Sequence, residues 1–250
     1  MGQANRQTGV KKLLRIATFN FLAGGSPRRT AHWSMLRTRL LPDVLLTQES
    51  RPPPRDAGSY ATALWTEACR GWGTGLYAPR LAVKPIEVKG FCGWITGGQL
   101  LSGRGTPRPT RIFSVHCPPG KRGYVNTIHV ILDRFHAMTD DADLVIGGDF
   151  NVAVGLRGPD ELVKVSKRER ELMTRFTEEL DLVPCWQTAN PARPLAQTLR
   201  WSGNRATPYH CDGIFIPRTW QRRLESCEVI ASPEWEQLSD HNPVLAVLRR

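Results

Sequence analysis

One pattern constrains this chain more than any other: strand-length apolar runs that each end on a polar residue of a catalytically useful kind. The clearest is Val145-Ile146-Gly147-Gly148-Asp149-Phe150-Asn151, in which an apolar run and two glycines present an acid, an aromatic and an amide. The two-residue period of a strand puts Asp149 and Asn151 on one side of the strand end and turns Phe150 into a core. The glycines let a backbone or a ligand approach closely. A single stretch of this kind is equally what a turn after a buried strand looks like. Its repetition is what carries weight. Residues 13–19 have strand composition and stop at Asn20 before the turn-rich Gly24-Gly25-Ser26-Pro27, and residues 44–47 deliver Gln48-Glu49 to a loop broken by Pro52-Pro53-Pro54. Residues 111–115 run into His116, residues 210–216 carry Asp212, and Ser239-Asp240-His241-Asn242-Pro243 precedes the apolar 244–248. A random globular chain leaves one or two such residues at sheet ends, not one at nearly every strand.

Between these strands the spacing predicts helices over 30–41, 124–138 and 166–180, the last with Ser166 and Glu169 placed as a capping box. Residues 60–110 read as a short helix and several short strands punctuated by glycine, a meander that breaks the regular alternation of a doubly wound fold. A further strand is expected over 197–201. The fold class is α/β, and the chain reads as a basic leader over 1–12 followed by one domain over 13–250.

Of its 250 residues, 40% are hydrophobic and 23% charged, which excludes wholesale disorder. The net charge of +11 predicts a surface that attracts polyanions, nucleic acid first and anionic lipid second. The six cysteines are widely spaced, without a Cys-x-x-Cys pair, and read as reduced core thiols. No apolar run is long enough for a signal sequence or a membrane span, so a cytoplasmic location is expected. Nothing in the chain calls for a second copy, and a monomer is expected.

Taken in order, Thr18-Phe19-Asn20, Gln48-Glu49-Ser50, Ser114-Val115-His116, Gly148-Asp149-Phe150-Asn151, Cys211-Asp212-Gly213-Ile214-Phe215 and Ser239-Asp240-His241-Asn242-Pro243 resemble the endonuclease/exonuclease/phosphatase superfamily. DNase I, abasic-site endonucleases, deadenylases and sphingomyelinases belong to it. Gly-Asp-x-Asn and Ser-Asp-His-x-Pro are the specific motifs, and the match runs from residue 13 to residue 248. The resemblance implies a four-layer α/β/β/α sandwich of two mixed sheets with helices outside and a cleft at the strand ends.

It also implies phosphodiester hydrolysis, whose physics suits these residue types. An anionic ester repels hydroxide, so a site must neutralise charge, hold a water in line and stabilise the leaving oxygen. Glu49 is the expected direct ligand of Mg²⁺, or of Mn²⁺, with Asn20 and Asp240 completing or supporting its shell. Asp149 would orient or deprotonate the attacking water, and Asn151 would donate to a phosphate oxygen. His241 would bind the phosphate or act as general acid or base with Asp212 holding its ring, and His116 would be the second imidazole. Which histidine is the acid stays open. Lys121 and Arg122 are candidates for phosphate contact, although a solvated basic loop is the simpler reading, and Trp65, Trp72 and Trp94 read as core aromatics.

His116 also marks a branch. Abasic-site endonucleases usually carry a Tyr-x-Pro-Asn segment there, whereas DNase I, deadenylases and sphingomyelinases carry histidine. Inositol polyphosphate 5-phosphatases carry Trp-x-x-Asp-Arg where this chain has His210-Cys211-Asp212-Gly213, and so are disfavoured. With the charge of +11, a nuclease acting on DNA or RNA is the first expectation. A phosphatase or sphingomyelinase-like phospholipase C is the alternative. A silent nucleic-acid-binding domain is the third.

Overall fold

The computed structural model describes residues 13–23, 29–55, 58–101, 108–139, 141–156 and 165–250. The basic leader expected over 1–12 lies outside them. The chain opens with β1 (Leu13–Asn20), α1 (Arg29–Met35) and β2 (Val44–Ser50). After Met35 the helix relaxes into one wide turn over Leu36–Leu40 and stops at Leu41, whose left-handed backbone (φ 47°) closes back on the Leu36 carbonyl. The middle holds four strands, β3 (Thr62–Cys69), β4 (Trp72–Ala78), β5 (Val83–Ile86) and β6 (Ile95–Leu100). Then come β7 (Thr110–His116), α2 (Tyr124–His136), β8 (Asp143–Asp149) and α3 (Lys167–Thr174). The last third is β9 (Leu182–Pro184), α4 (Cys185–Ala189), β10 (Asp212–Pro217), a tight turn over Arg218–Arg223, β11 (Leu224–Val229), α5 (Pro233–Glu236) and β12 (Val244–Arg249).

The strands form two six-stranded sheets, one ordered β11-β12-β1-β2-β4-β3 and the other β5-β6-β7-β8-β10-β9. Each is mixed for the same reason. A helix crosses over between β1 and β2 and between β7 and β8, so these two central pairs are parallel, while hairpins and returns make the rest antiparallel. Strand alternation then sorts the side chains into three cores. Ile16, Val44, Leu46, Ile112, Val145, Ile214 and Ile216 point between the sheets. Phe113, Ile146 and Phe215 point outward beneath α2 and α3, where they meet Ile128, Phe135, Leu172 and Phe176. On the first sheet, Ala17, Phe19 and Leu45 point outward beneath α1 and Trp235. Helix layer, sheet, sheet and helix layer follow, the expected four-layer sandwich. Gly147 lets the sheets close up: a Cβ there would stand 2.7 Å from Leu46 Cδ1 of the facing sheet.

Three expectations need correction. Residues 60–101 hold strands and no helix among the described residues, because their glycines and alternating β-formers give no helical stripe to bury. The strand expected over 197–201 makes only single bridges, Leu199 to Tyr209 and Leu199 to His241, and its backbone is diverted to other duties. The third expected helix begins at Ser166 with both hydrogen bonds of the capping box, but it loosens into a wide turn over Arg175–Glu179.

Candidate active site

The alternation that fills the central core also builds a pit at one end of it. Continuing inward from Ile16 on β1 leads to Thr18 and Asn20; from Ile112 on β7, to Ser114 and His116; from Val145 on β8, to Gly147 and Asp149. On the antiparallel β10, stepping back from Ile214 reaches Asp212. The apolar filling gives way to polar groups on both sheets at the same level. Thr18 Oγ1 donates to Gln48 Oε1 (3.1 Å), Gln48 Nε2 to Ser114 Oγ (3.0 Å), and Ser114 Oγ to the Thr47 carbonyl (3.0 Å). These buried bonds tie one sheet to the other under the pit.

Glu49 breaks the alternation. Its neighbour Gln48 faces the other sheet, so a regular strand would turn Glu49 outward. Instead its backbone is left-handed (φ 46°) and the β2–β4 register slips between Thr47 and Ser50. The bulge re-aims the carboxylate into the pit. There Asn20, fully buried, donates from Nδ2 to Glu49 Oε1 (3.1 Å) and to Asp149 Oδ2 (3.0 Å), while its Oδ1 accepts from the Leu22 amide (2.9 Å). The Ala23 amide donates to Glu49 Oε2. Asn20 therefore supports two carboxylates through its amide hydrogens, with its oxygen already engaged.

Asp149, 1% exposed, accepts from the Asn151 amide at Oδ1 (2.9 Å). Asn151 is left-handed (φ 55°), and its Nδ2 makes only long contacts, 3.3 Å to the Cys117 carbonyl and 3.4 Å to Asp149 Oδ2. Phe150 turns away into the core beneath the helices, as expected. Two imidazoles flank the Asp149 carboxylate: Nε2 of His116 stands 3.8 Å from Asp149 Oδ2 and 3.6 Å from Glu49 Oε1, and Nε2 of His241 stands 3.9 Å from Asp149 Oδ2. Nδ1 of His241 donates to Asp212 Oδ2 at 2.9 Å. Burial disfavours a charged His241, but Asp212, Asp149 and Asp240 outweigh it and push the imidazole up to about 10.

The two histidines are held differently. His241 is pinned by a carboxylate, whereas Nδ1 of His116 is buried without a hydrogen-bond partner. The His116 ring sits instead between Trp72 and Trp94, with ring centroids 5.5 Å and 5.2 Å away. Trp72 begins β4 of the first sheet, and Trp94 precedes β6 of the second and accepts the His116 amide at its carbonyl (2.8 Å). These two tryptophans wall the site, and Trp94 also packs against the core beneath the second sheet. Tyr124 at the start of α2 is a further neighbour: burial, then Asp149, Cys117 and Glu49, raise its phenol above the ordinary range.

Asp240 stands with Oδ1 3.9 Å from His241 Nε2, buried and without a hydrogen bond. Lys121 and Arg122 lie on an exposed turn. The donor atoms of Glu49, His116 and Asp149 lie within 4.8 Å of one another, and so do those of Asp149, Cys211, Asp212 and His241. Among the described residues no Lys or Arg forms an ion pair with Glu49, Asp149 or Asp212, and Asp212 Oδ1 is buried without a partner. Carboxylates gathered without a side-chain cation other than imidazole suit a hard divalent ion.

The architecture aligns along 94–96% of the chain with solved structures. An AP endonuclease from Archaeoglobus fulgidus superposes with a TM-score of 0.67 at 20% identity, over 94% of this chain and 99% of that one. This chain has the DNase I-like endonuclease/exonuclease/phosphatase fold. A Neisseria 3′ phosphatase bound to a product DNA hairpin shares that fold at a TM-score of 0.68 and 17% identity, over 95% of this chain and 100% of that one. The endonuclease domain of a telomere-specific non-LTR retrotransposon matches at 0.65 and 16%, over 95% and 99%. No protein-family model matches the chain, and no curated protein matches it in sequence. For a DNase I-like sandwich, the pit lies at the end of the sheets where Asn20, Glu49, His116, Asp149, Asp212 and His241 meet.

Proposed function

We propose that the protein is a Mg²⁺-dependent phosphodiesterase that hydrolyses nucleic acid, with residues 13–250 acting as one domain. The observation that supports this most is the convergence of groups from both sheets on Asp149, with His116 Nε2 3.8 Å and His241 Nε2 3.9 Å from its carboxylate and His116 Nε2 also 3.6 Å from Glu49. Glu49, with Asp149 beside it and Asn20 and Asp240 in support, would hold the ion, which neutralises the phosphate and stabilises the leaving oxygen. Asp149 accepts the proton of the attacking water or aims its lone pair, from between the two imidazoles. Asn151, whose own amide contacts are long, turns Nδ2 to a phosphate oxygen and adds no negative charge. His241, kept charged by Asp212, donates from Nε2 to the phosphate, and His116 offers the second imidazole.

The net charge of +11 favours a polyanionic substrate over a small phosphoester. The related fold in Neisseria was solved with a DNA hairpin, which fits the same substrate class. The test is a parallel panel of supercoiled DNA, single-stranded RNA, a phosphomonoester and sphingomyelin, in Mg²⁺ or Mn²⁺. Cleavage of DNA or RNA that is abolished by EDTA and by Glu49→Gln is expected. Turnover of only sphingomyelin or the monoester would replace the nuclease reading with that of a phospholipase or phosphatase. Binding of nucleic acid without cleavage would leave a silent binding domain.

A further inference from the structure

The segment that failed to form the expected strand, residues 197–201, is occupied elsewhere, and its most unusual member is Arg200. This arginine is only 6% exposed. Its guanidinium donates from Nη1 to Asn242 Oδ1 and from Nη2 to the carbonyls of Ser239 (2.7 Å) and His241 (3.4 Å). Its backbone amide donates to the Asp240 carbonyl at 2.8 Å. One residue thus touches all four members of Ser239-Asp240-His241-Asn242. Among the described residues it has no ion-pair partner, every side-chain acceptor is neutral, and Nε is buried without a hydrogen bond. A guanidinium buried in this way is expensive, and an apolar side chain of similar volume would pack there at lower cost. The compensation is geometric, because the planar fork spans three acceptors that a flexible ammonium cannot hold together.

Two residues earlier, Thr198 does the complementary job. Its Oγ1 accepts from the amides of Cys211 (3.0 Å) and Asp212 (3.1 Å), and its carbonyl accepts from the Asn242 amide (2.7 Å). Segment 198–200 is therefore bonded on one side to the start of β10, which carries Asp212, and on the other to the loop that carries His241. Those are the two partners of the 2.9 Å hydrogen bond that orients the imidazole. We propose that Arg200 is a positioning residue: its buried guanidinium locks residues 239–242 so that His241 meets Asp212 and Asp149 in reacting geometry. The inference rests on the phosphodiesterase reading above for its catalytic consequence, but not for its structural one.

The test uses the full chain as Arg200→Met and Arg200→Lys, with two measurements. In the metal-free protein, the downfield proton resonance of the His241 Nδ1–H bonded to Asp212 reports the orientation directly and needs no substrate. With an oligonucleotide and Mg²⁺, kcat and KM report the consequence. Arg200→Met shifts or broadens that resonance and lowers kcat about a hundredfold, the scale expected of a misplacement near 1 Å. KM changes by less than about threefold, because the loss falls on the transition state and not on substrate binding. Arg200→Lys recovers part of both. Should Arg200→Met fail to fold, Asn242→Ala removes a single acceptor from the fork and carries the test with a smaller loss in the same two readouts. A folded Arg200→Met, or Asn242→Ala in its place, with the wild-type resonance and wild-type kcat overturns the proposal. An inactive wild-type protein overturns the phosphodiesterase reading instead, and the resonance still decides whether Arg200 positions His241.

Discussion

Asn20 offers the sharpest test of how the pit is held together. In Asn20→Leu the shape is nearly kept, but the amide hydrogens between Glu49 Oε1 and Asp149 Oδ2 are lost, as is the acceptor of the Leu22 amide. Hydrogen bonds to charged groups contribute about 1.5–3 kcal/mol each and a neutral one about 0.5–1.5, so the three amount to about 3.5–7.5 kcal/mol. Glu49 keeps some contact with solvent, its side chain being 19% exposed, which brings the expected loss to about 3–5 kcal/mol. The cause is specific: two neighbouring carboxylates lose the amide that donated to both. A second substitution, Glu49→Gln, removes the repulsion between them. Urea denaturation in EDTA should therefore show Glu49→Gln destabilising the wild-type protein but stabilising Asn20→Leu, with a coupling on the order of 1–3 kcal/mol. If the two substitutions add to within about 0.5 kcal/mol, Asn20 is not the bridge between the acids and the account of the site is wrong.

Two further outcomes follow from the histidines. Because His241 is raised from its ordinary value to about 10 in the metal-free fold, its contribution to stability is complete below the unfolded value near 6.5 and is lost as pH rises through about 10. Urea midpoints in EDTA should fall across that window, and in Asp212→Asn the fall should move to lower pH, because the strongest partner of the charged ring is gone. Replacing Trp72 by Leu removes one wall of the His116 ring. An aromatic contact of about 0.5–1.5 kcal/mol, expressed in the transition state, predicts a drop in kcat of up to roughly tenfold with circular dichroism unchanged, and an unchanged kcat would show that the ring is held some other way.

Much of the central framework is legible in the sequence because it follows from period-two alternation. β1, β2, β7, β8 and β12 are mostly apolar, and the polar residues at their cleft end, Asn20, His116 and Asp149, keep the inward parity of Ile16, Ile112 and Val145. The capping box at Ser166 is equally local. What pattern could not reveal depends on distant partners. Glu49 reaches the pit through a bulge and a left-handed backbone that nothing in Gln48-Glu49-Ser50 announces. Trp94 becomes a neighbour of His116 through the pairing at the β6–β7 end, and Trp72 only when the two sheets come together. Residues 197–201 have the composition of a strand, yet their bonds run to the loop at 239–242, a pairing about forty residues away that local propensity does not register.

The join between the two sheets has a consequence for the time course of biosynthesis. Asn20 bonds Asp149 across 129 residues, and Ser239 Oγ reaches the Asn20 carbonyl across 219. A nascent chain that has only emerged as far as β8 already carries Glu49 and Asp149, but it lacks the imidazole of His241 and the Asp212 that orients it. Such a chain holds only part of the proposed site, and the rest arrives when residues 239–242 fold back against the first strand, where Ser239 Oγ meets the Asn20 carbonyl.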